Sequence, residues 1–318
     1  MSTVTGGLSS PRFVLILSEN WTMTTGRDLP RLVRWAREAE DAGFDAVMIS
    51  EHIVLGRSAG ANGVMLNPRE YALPGNQDPA TPWPNSLILL SAIAAVTTQL
   101  RLVAGAIIAP LRHPLLLARE LGTLDLLSAG RLVVLPTVSW HREEYDALGV
   151  DFTKRGRLLD EHLAAWQQAW GPSPVSYRGE HYAFEDVWFE PKAWRPDGTR
   201  IWIGGGAMTP KIIERIVRHG NGFNPLGRRT EDEMDALRVA MATAGRDMAE
   251  LELVGGTRAV FTQPDSVADL ALALEAIPPQ IAQGFTTFCV KPSQFTDDPD
   301  GVGTFCREVL RRSESLIG

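Results

Sequence analysis

Four groups of residues in this chain, together with one pair of arginines, have the types and spacing to do chemistry. Glu51-His52 follows directly on the apolar run 46–50. Histidine exchanges protons near neutral pH, so at the carboxyl end of a strand it can donate to a carbonyl or pass a proton. It can equally be a satisfied histidine packed under the loop that follows. Ile203-Gly204-Gly205-Gly206 leads from a second apolar run to Thr209-Pro210, a helix start by residue type. Glycines let backbone approach an anion, and free N–H groups at a helix start hold phosphate without a lysine. A plain tight turn is the alternative. Gly105-Ala106 interrupts a β-branched run, where glycine marks a bulge, a close approach of backbone to a ligand, or relief of crowding. Trp140-His141-Arg142-Glu143-Glu144 offers a flat apolar face and charges. Arg142 can hold a carboxylate bidentately, while Glu143 and Glu144 read best as the solvated start of a short helix. Arg228-Arg229 can meet an anionic tail or lie on the surface.

These groups must be positioned by something, and the hydrophobic pattern says what. Short apolar runs at 13–18, 46–50, 101–107, 131–138, 200–204, 222–226, 252–261 and 285–290 read as strands. Each precedes a helical segment, at 28–42, 85–98, 113–128, 153–170, 210–220, 231–244, 266–277 and 302–313. Asp28 is placed to cap the first helix and Gly43 to end it in a left-handed turn. Leu159, Leu163, Trp166 and Trp170 form an apolar stripe at helical spacing. Eight βα units with near-continuous apolar strands predict a single (β/α)8 TIM barrel over residues 1–318. In such barrels the chemistry sits at the carboxyl ends of the strands, where all four groups lie. The surplus over a typical barrel falls in two insertions, a Gly, Pro and Asn-rich loop at 53–84 after strand two and an aromatic hairpin at 172–199 after helix four. Tyr71, Trp83 and the prolines argue for an ordered lid.

Composition narrows the class. At 318 residues and 44% hydrophobic content the chain can bury a large core. A net charge of −7 and no basic tract argue against a nucleic-acid surface. No stretch approaches the roughly 20 apolar residues of a membrane span. The opening residues lack a charged n-region and an apolar h-region, so no signal peptide is expected, residues 1–11 are expected to fray, and the location expected is cytoplasmic. Cys289 and Cys306 are the only cysteines, too few for a disulfide framework and without metal spacing. No His-x-His cluster stands at a strand end, so no metal is expected. Lys291 does end the eighth run, with no sign in the sequence of the desolvation a Schiff-base lysine needs. No Gly-x-Ser-x-Gly elbow occurs.

At these residues the chain resembles the luciferase-like flavin and deazaflavin oxidoreductases. The resemblance covers nearly the whole chain. It is strongest in Ala39-Glu-Asp-Ala-Gly-Phe-Asp45, Ser50-Glu-His52, Pro82-Trp-Pro84, Ala109-Pro-Leu-Arg-His-Pro114, Thr123-Leu-Asp-Leu-Leu-Ser128 with Gly130-Arg131, Trp140 to Tyr145, Arg155-Gly-Arg157 and Trp202-Ile-Gly-Gly205. The closest likeness is to the subgroup that uses coenzyme F420, a 5-deazaflavin, rather than FMN. The resemblance implies a cofactor ring over a bulged third strand with a non-prolyl cis peptide at Gly105-Ala106, and a histidine, His52, facing the ring and substrate. It matches Gly204 and Gly205 to a backbone phosphate site; the other candidate cofactor contacts are Thr137, Ser139, Gly206 and Arg228, and the candidate substrate contacts are Trp83, Trp140 and Arg142. One departure stands out: a Gly-x-Gly-x-Gly run expected after strand four is here Leu135-Pro136-Thr137-Val138-Ser139. Trp140 also replaces the catalytic glutamate of F420-dependent sugar-phosphate dehydrogenases, which disfavours that activity.

The reading that follows is an F420-dependent oxidoreductase acting on a small organic substrate. The aromatics Trp83, Tyr177, Tyr182 and Trp188 of the insertions suggest an apolar or aromatic one. An FMN-dependent two-component monooxygenase using O2 is the alternative, and a non-catalytic flavin-binding barrel a third reading. The expected partners are a second copy of the chain and a flavin or F420 reductase, with no nucleic acid and no membrane.

Overall fold

The structure is a computed structural model and describes residues 10–317. The fraying expected for 1–11 therefore falls mostly outside the described residues. Eight parallel strands close a barrel in the order β1-β10-β9-β8-β7-β4-β3-β2. They are β1 (Arg12–Ile16), β2 (Ala46–Ile49), β3 (Arg101–Ile108), β4 (Leu132–Thr137), β7 (Arg200–Gly205), β8 (Gly222–Pro225), β9 (Glu252–Gly256) and β10 (Thr287–Val290). The hairpin β5 (Val175–Arg178) and β6 (Ala183–Val187) is antiparallel and stands outside the barrel.

The strands read as unbroken apolar runs because both faces are buried. In β1, Phe13 and Leu15 pack outward into the large core beneath the helices, while Val14 and Ile16 point into the barrel with Met48, Val103, Leu135 and Trp202. The helices are α1 (Leu29–Ala42), α2 (Ser86–Ala94), α3 (Pro114–Leu127), α4 (Arg142–Ala147), α5 (Arg155–Trp170), α6 (Pro210–His219), α7 (Glu231–Thr243), α8 (Leu270–Leu274), α9 (Ile277–Ala282) and α10 (Val302–Ile317). Asp28 accepts the Arg31 N–H at the start of α1, and Gly43 ends it at φ 101°, as their residue types require.

Three expectations need correction, the first being the helix expected over 85–98, which ends at Ala94, ahead of the β-branched Val96, Thr97 and Thr98. The strand expected over 252–261 stops at Gly256, because its neighbour β10 ends at Val290 and Pro292 offers no amide to extend the ladder. The helix expected over 266–277 divides into α8 and α9, since Pro278 and Pro279 can begin a helix but not continue one. The 53–84 insertion is ordered loop, with one short 3-10 turn at Arg57–Gly60.

Candidate functional site

His52, Gly105-Ala106, Thr137 to Trp140 and Gly204 to Gly206 lie at the carboxyl ends of β2, β3, β4 and β7, four consecutive strands of the barrel. The fold thus gathers on one half of the rim residues spread over some 150 positions of sequence. The strand between β2 and β4 is irregular. Gly105 pairs with Leu135 and Ile107 with Pro136, so Ala106 is an extra residue in the ladder, and the Gly105–Ala106 peptide is cis. A Cβ at Gly105 would lie 3.1 to 3.4 Å from side-chain atoms of Val103, Leu135 and Met48, so the barrel interior leaves little room there for anything larger than glycine.

His52 is the best-supported side chain of this rim. Its Nδ1 donates to Glu144 Oε1 at 3.0 Å. The same oxygen accepts the Ile53 N–H at 2.8 Å, and Oε2 accepts the Ser139 hydroxyl at 3.0 Å. Glu144 is wholly buried. A carboxylate that accepts three hydrogen bonds fixes the histidine tautomer: the proton sits on Nδ1 and Nε2 is left free to accept or deliver one. Ser139 holds φ 54°, the left-handed backbone for which glycine is the usual residue. Its hydroxyl is an addition that glycine could not make, so the 135–139 departure supplies one of the contacts that orient His52. The expectation that Glu143 and Glu144 are solvated is therefore wrong for Glu144 and only partly right for Glu143. The Glu143 carboxylate accepts from both the N–H and the hydroxyl of Ser58, at 2.9 Å each, and these bonds hold it below the usual carboxylate range.

Aromatic rings close around the histidine. Trp83 and Trp140 meet it edge-on with centroids at 5.0 and 5.8 Å. His141 lies behind it at 6.4 Å, and its Nε2 accepts the Gly56 N–H at 2.7 Å. Burial lowers the His141 pKa, so the ring is neutral and carries its proton on Nδ1. That N–H and the Trp83 indole N–H are buried donors with no partner in the protein. Donors of this kind suit a ring bearing carbonyl acceptors, such as a flavin or deazaflavin. At the end of β7, a side chain on Gly206 would meet nothing within 4 Å, while one on Gly205 would press on Ile212 at 3.3 Å. Gly206 thus leaves open room next to the first turn of α6, where Thr209 accepts the Ile212 N–H. This opening fits a phosphate group.

Other expected residues are not brought to His52. Arg142 is exposed and lies over the Phe152 ring at 4.7 Å, on a different side of the first turn of α4 from Glu144, which reaches His52. Arg228 is exposed. It is Arg229 that touches the glycine loop, donating to Gly206 O at 3.2 Å while paired with Glu233. Of the insertion aromatics only Trp83 reaches His52. Tyr182 packs on His113 and His162, and Trp188 is 70% exposed, because the hairpin lies outside the barrel against α5.

Three residues of the rim escaped sequence reasoning or were passed over there. Glu144 had no local signal, since a glutamate at a helix start is ordinary. Glu19 follows β1 as a polar residue at the functional end of a barrel strand, and that position alone could have singled it out. Lys291 follows β10 and is wholly buried, with its pKa lowered by desolvation, although the sequence carries no mark of that burial. Glu51 is also buried, accepting from Ile108 N and from both terminal nitrogens of Arg112, and it fastens the end of β3. Among the described residues no cluster of His, Cys, Asp and Glu is placed to hold a metal, and no helix is long and apolar enough to cross a membrane.

The sequence pattern of the luciferase-like monooxygenases matches residues 11–296. An uncharacterized protein of Mycobacterium tuberculosis is 31% identical over 261 residues, 75% of this chain and 89% of that protein. An FMNH2-dependent dimethylsulfone monooxygenase of Pseudomonas fluorescens is 24% identical over 71% of this chain and 61% of that protein. Among solved structures, an F420-dependent secondary alcohol dehydrogenase with an F420-acetone adduct superposes with a TM-score of 0.72 at 13% identity, covering 96% of this chain and 99% of the other.

Proposed function

The chain belongs to the luciferase-like monooxygenase family, and from that premise we propose that it is an oxidoreductase moving a hydride between coenzyme F420 and a small apolar or aromatic substrate. The observation that carries the reading is the His52–Glu144 contact beside the β3 bulge. The deazaflavin supplies hydride chemistry at C5 when bound. The protein supplies orientation and a proton. Hydride transfer to or from a carbon bearing oxygen or nitrogen must be matched by a proton on the heteroatom, and His52 Nε2 is the free proton site of the rim. Glu144 keeps the ring in that tautomer and stabilises the imidazolium while the proton is held. Trp83 and Trp140 give an apolar wall, which favours a substrate with an apolar body. Gly204, Gly205 and Gly206 leave backbone and space for the cofactor phosphate, with Arg229 pinning the loop. Thr137, Ser139 and Ala106 line the neighbouring strand ends.

The Pseudomonas relative supports a second reading, an FMN-dependent monooxygenase that consumes O2 and is fed by a separate reductase. A second copy of the chain is proposed to cover α2 and α3, which pack together and expose Ile88, Leu116 and Leu127 at 73%, 65% and 63%. Two free cysteines and no disulfide accord with a cytoplasmic location. Titration of the purified protein with F420 and with FMN, each followed by its absorbance, tests the assignment. Binding of F420 at least tenfold tighter is expected. Tighter FMN binding, with O2 consumption on addition of a reductase, would overturn it in favour of the second reading.

A further inference from the structure

The 53–84 insertion is fastened at both ends of its path across the barrel mouth, and the two fastenings differ in kind. Near its start, Ile53, Gly56 and Ser58 donate to Glu144, His141 and Glu143, residues that follow β4. These contacts belong to the orientation of His52. Further along, residues 67–72 are held by groups that follow β1, β9 and β10. Asn67 donates to Gln263 O and Ser266 O at 3.2 and 2.8 Å. Arg69 pairs with Asp297 at 2.5 Å. Lys291 Nζ donates to Glu70 O at 2.8 Å and lies 5.0 Å from the Tyr71 ring centre. Glu19 stands 3.6 Å from Lys291 Nζ, with the Ala72 backbone close enough to its carboxyl to act on it electrostatically. In the closed order of eight strands β4 and β10 are four places apart, so the loop spans the mouth between opposite sides.

The Glu19–Lys291 pair is costly to build. Lys291 has no exposed surface, and Glu19 holds φ 62°, a left-handed backbone unusual for glutamate. Asn20 over-determines that turn, donating to the carbonyls of Ile16, Leu17 and Ser18 and accepting the Ser293 N–H. A buried ion pair returns in attraction little more than desolvation takes, so stability alone does not account for it. Its contacts do: the pair touches three consecutive loop residues, 70, 71 and 72, and none of the residues that orient His52 by hydrogen bond. Release at this end would leave the His52–Glu144 geometry standing. Release at the β4 end would dismantle it.

We propose that the insertion is a lid that opens at residues 67–72, hinged at 53–58, and that Lys291 with Glu19 is the clamp that seats it. Lys291 is a positioning residue in this role, acting through the lid. The proposal rests on the lid contacts and not on the cofactor, so an error in the cofactor assignment leaves it intact.

Hydrogen–deuterium exchange on the full chain without ligand tests it, comparing wild type with Lys291→Met and Glu19→Gln. Exchange across 67–72 is expected to quicken at least tenfold in both variants, with 53–58 and β3 unchanged. Unchanged exchange at 67–72 overturns the clamp, as does an equal rise in the barrel strands, which would make the pair a general stabiliser. Should Lys291→Met fail to fold, Glu19→Gln, which keeps the side-chain shape, decides the question alone.

Discussion

His52 and Glu144 are 92 positions apart in the chain, and His52 Nδ1 lies 3.0 Å from Glu144 Oε1. The relationship makes the histidine a directional proton site rather than a packed ring. Replacing Glu144 by Gln keeps the volume but removes the charge and offers an amide N–H2 where the Ser139 hydroxyl or His52 Nδ1 expects an acceptor. Turnover is expected to fall by at least about 10²-fold, since partners that orient a functional histidine are worth roughly 10² to 10⁴ in rate. Near-UV circular dichroism should remain that of wild type. Full turnover in the variant would reduce Glu144 to a structural contact.

His52→Ala should lower turnover by roughly 10² or more, the scale of a positioned general acid or base. The fold should survive with a moderately lowered melting temperature, since the side chain is only 10% exposed but Glu144 keeps its bonds from Ile53 and Ser139. A variant with wild-type rates and a lowered melting temperature would instead mark His52 as packing under the lid.

Gly206→Val is a clean probe of the phosphate loop. A Cβ at Gly206 meets nothing within 4 Å, whereas at Gly205 it would press on Ile212 at 3.3 Å and confuse affinity with stability. Cofactor affinity is expected to drop at least tenfold by titration, with thermal stability unchanged. Equal affinity in the variant would place the phosphate elsewhere on the rim.

Acid should destabilise the fold from about pH 6.5 downward. Burial lowers the pKa of His141 and of His162, so both are neutral in the folded state, while the unfolded chain takes up protons at the ordinary histidine value of about 6.5. Below that pH the unfolded state binds more protons, and stability falls as pH falls toward the folded values. Above about pH 7 the contribution is fully present. The raised pKa of Glu19 works in the opposite sense, so a variant is needed to isolate the effect. Melting curves at pH 7.5 and 5.5 should show a lower midpoint at pH 5.5 and a smaller drop in His162→Gln. An equal drop in that variant would remove His162 from the account.

Much of this molecule was legible without its tertiary structure, and the reason is locality. The unbroken apolar run of β1 and the periodic stripe of α5 are recorded in neighbouring residues, because backbone hydrogen bonding and the two-sided cover of a parallel strand act over a few positions. The place of His52 followed as well, since a residue just after a barrel strand must stand at its carboxyl rim. So did the odd glycine of β3, where the missing side chain itself marks the irregular ladder. What only the tertiary structure decided is how loops from different strands meet. Glu144 reads locally as an ordinary acid in a first helical turn, and its burial depends on Ile53 and His52 arriving from β2 with the right approach. Lys291 reads as an ordinary strand-end lysine until Glu19 and the 70–72 backbone cover it. Arg228 and Arg229 are indistinguishable by type, and the turn after β8 alone selects the one that reaches Gly206. Loop contacts of this kind are set by the closure of the barrel, which brings distant strand ends within hydrogen-bond reach, and no short stretch of sequence carries a record of that closure.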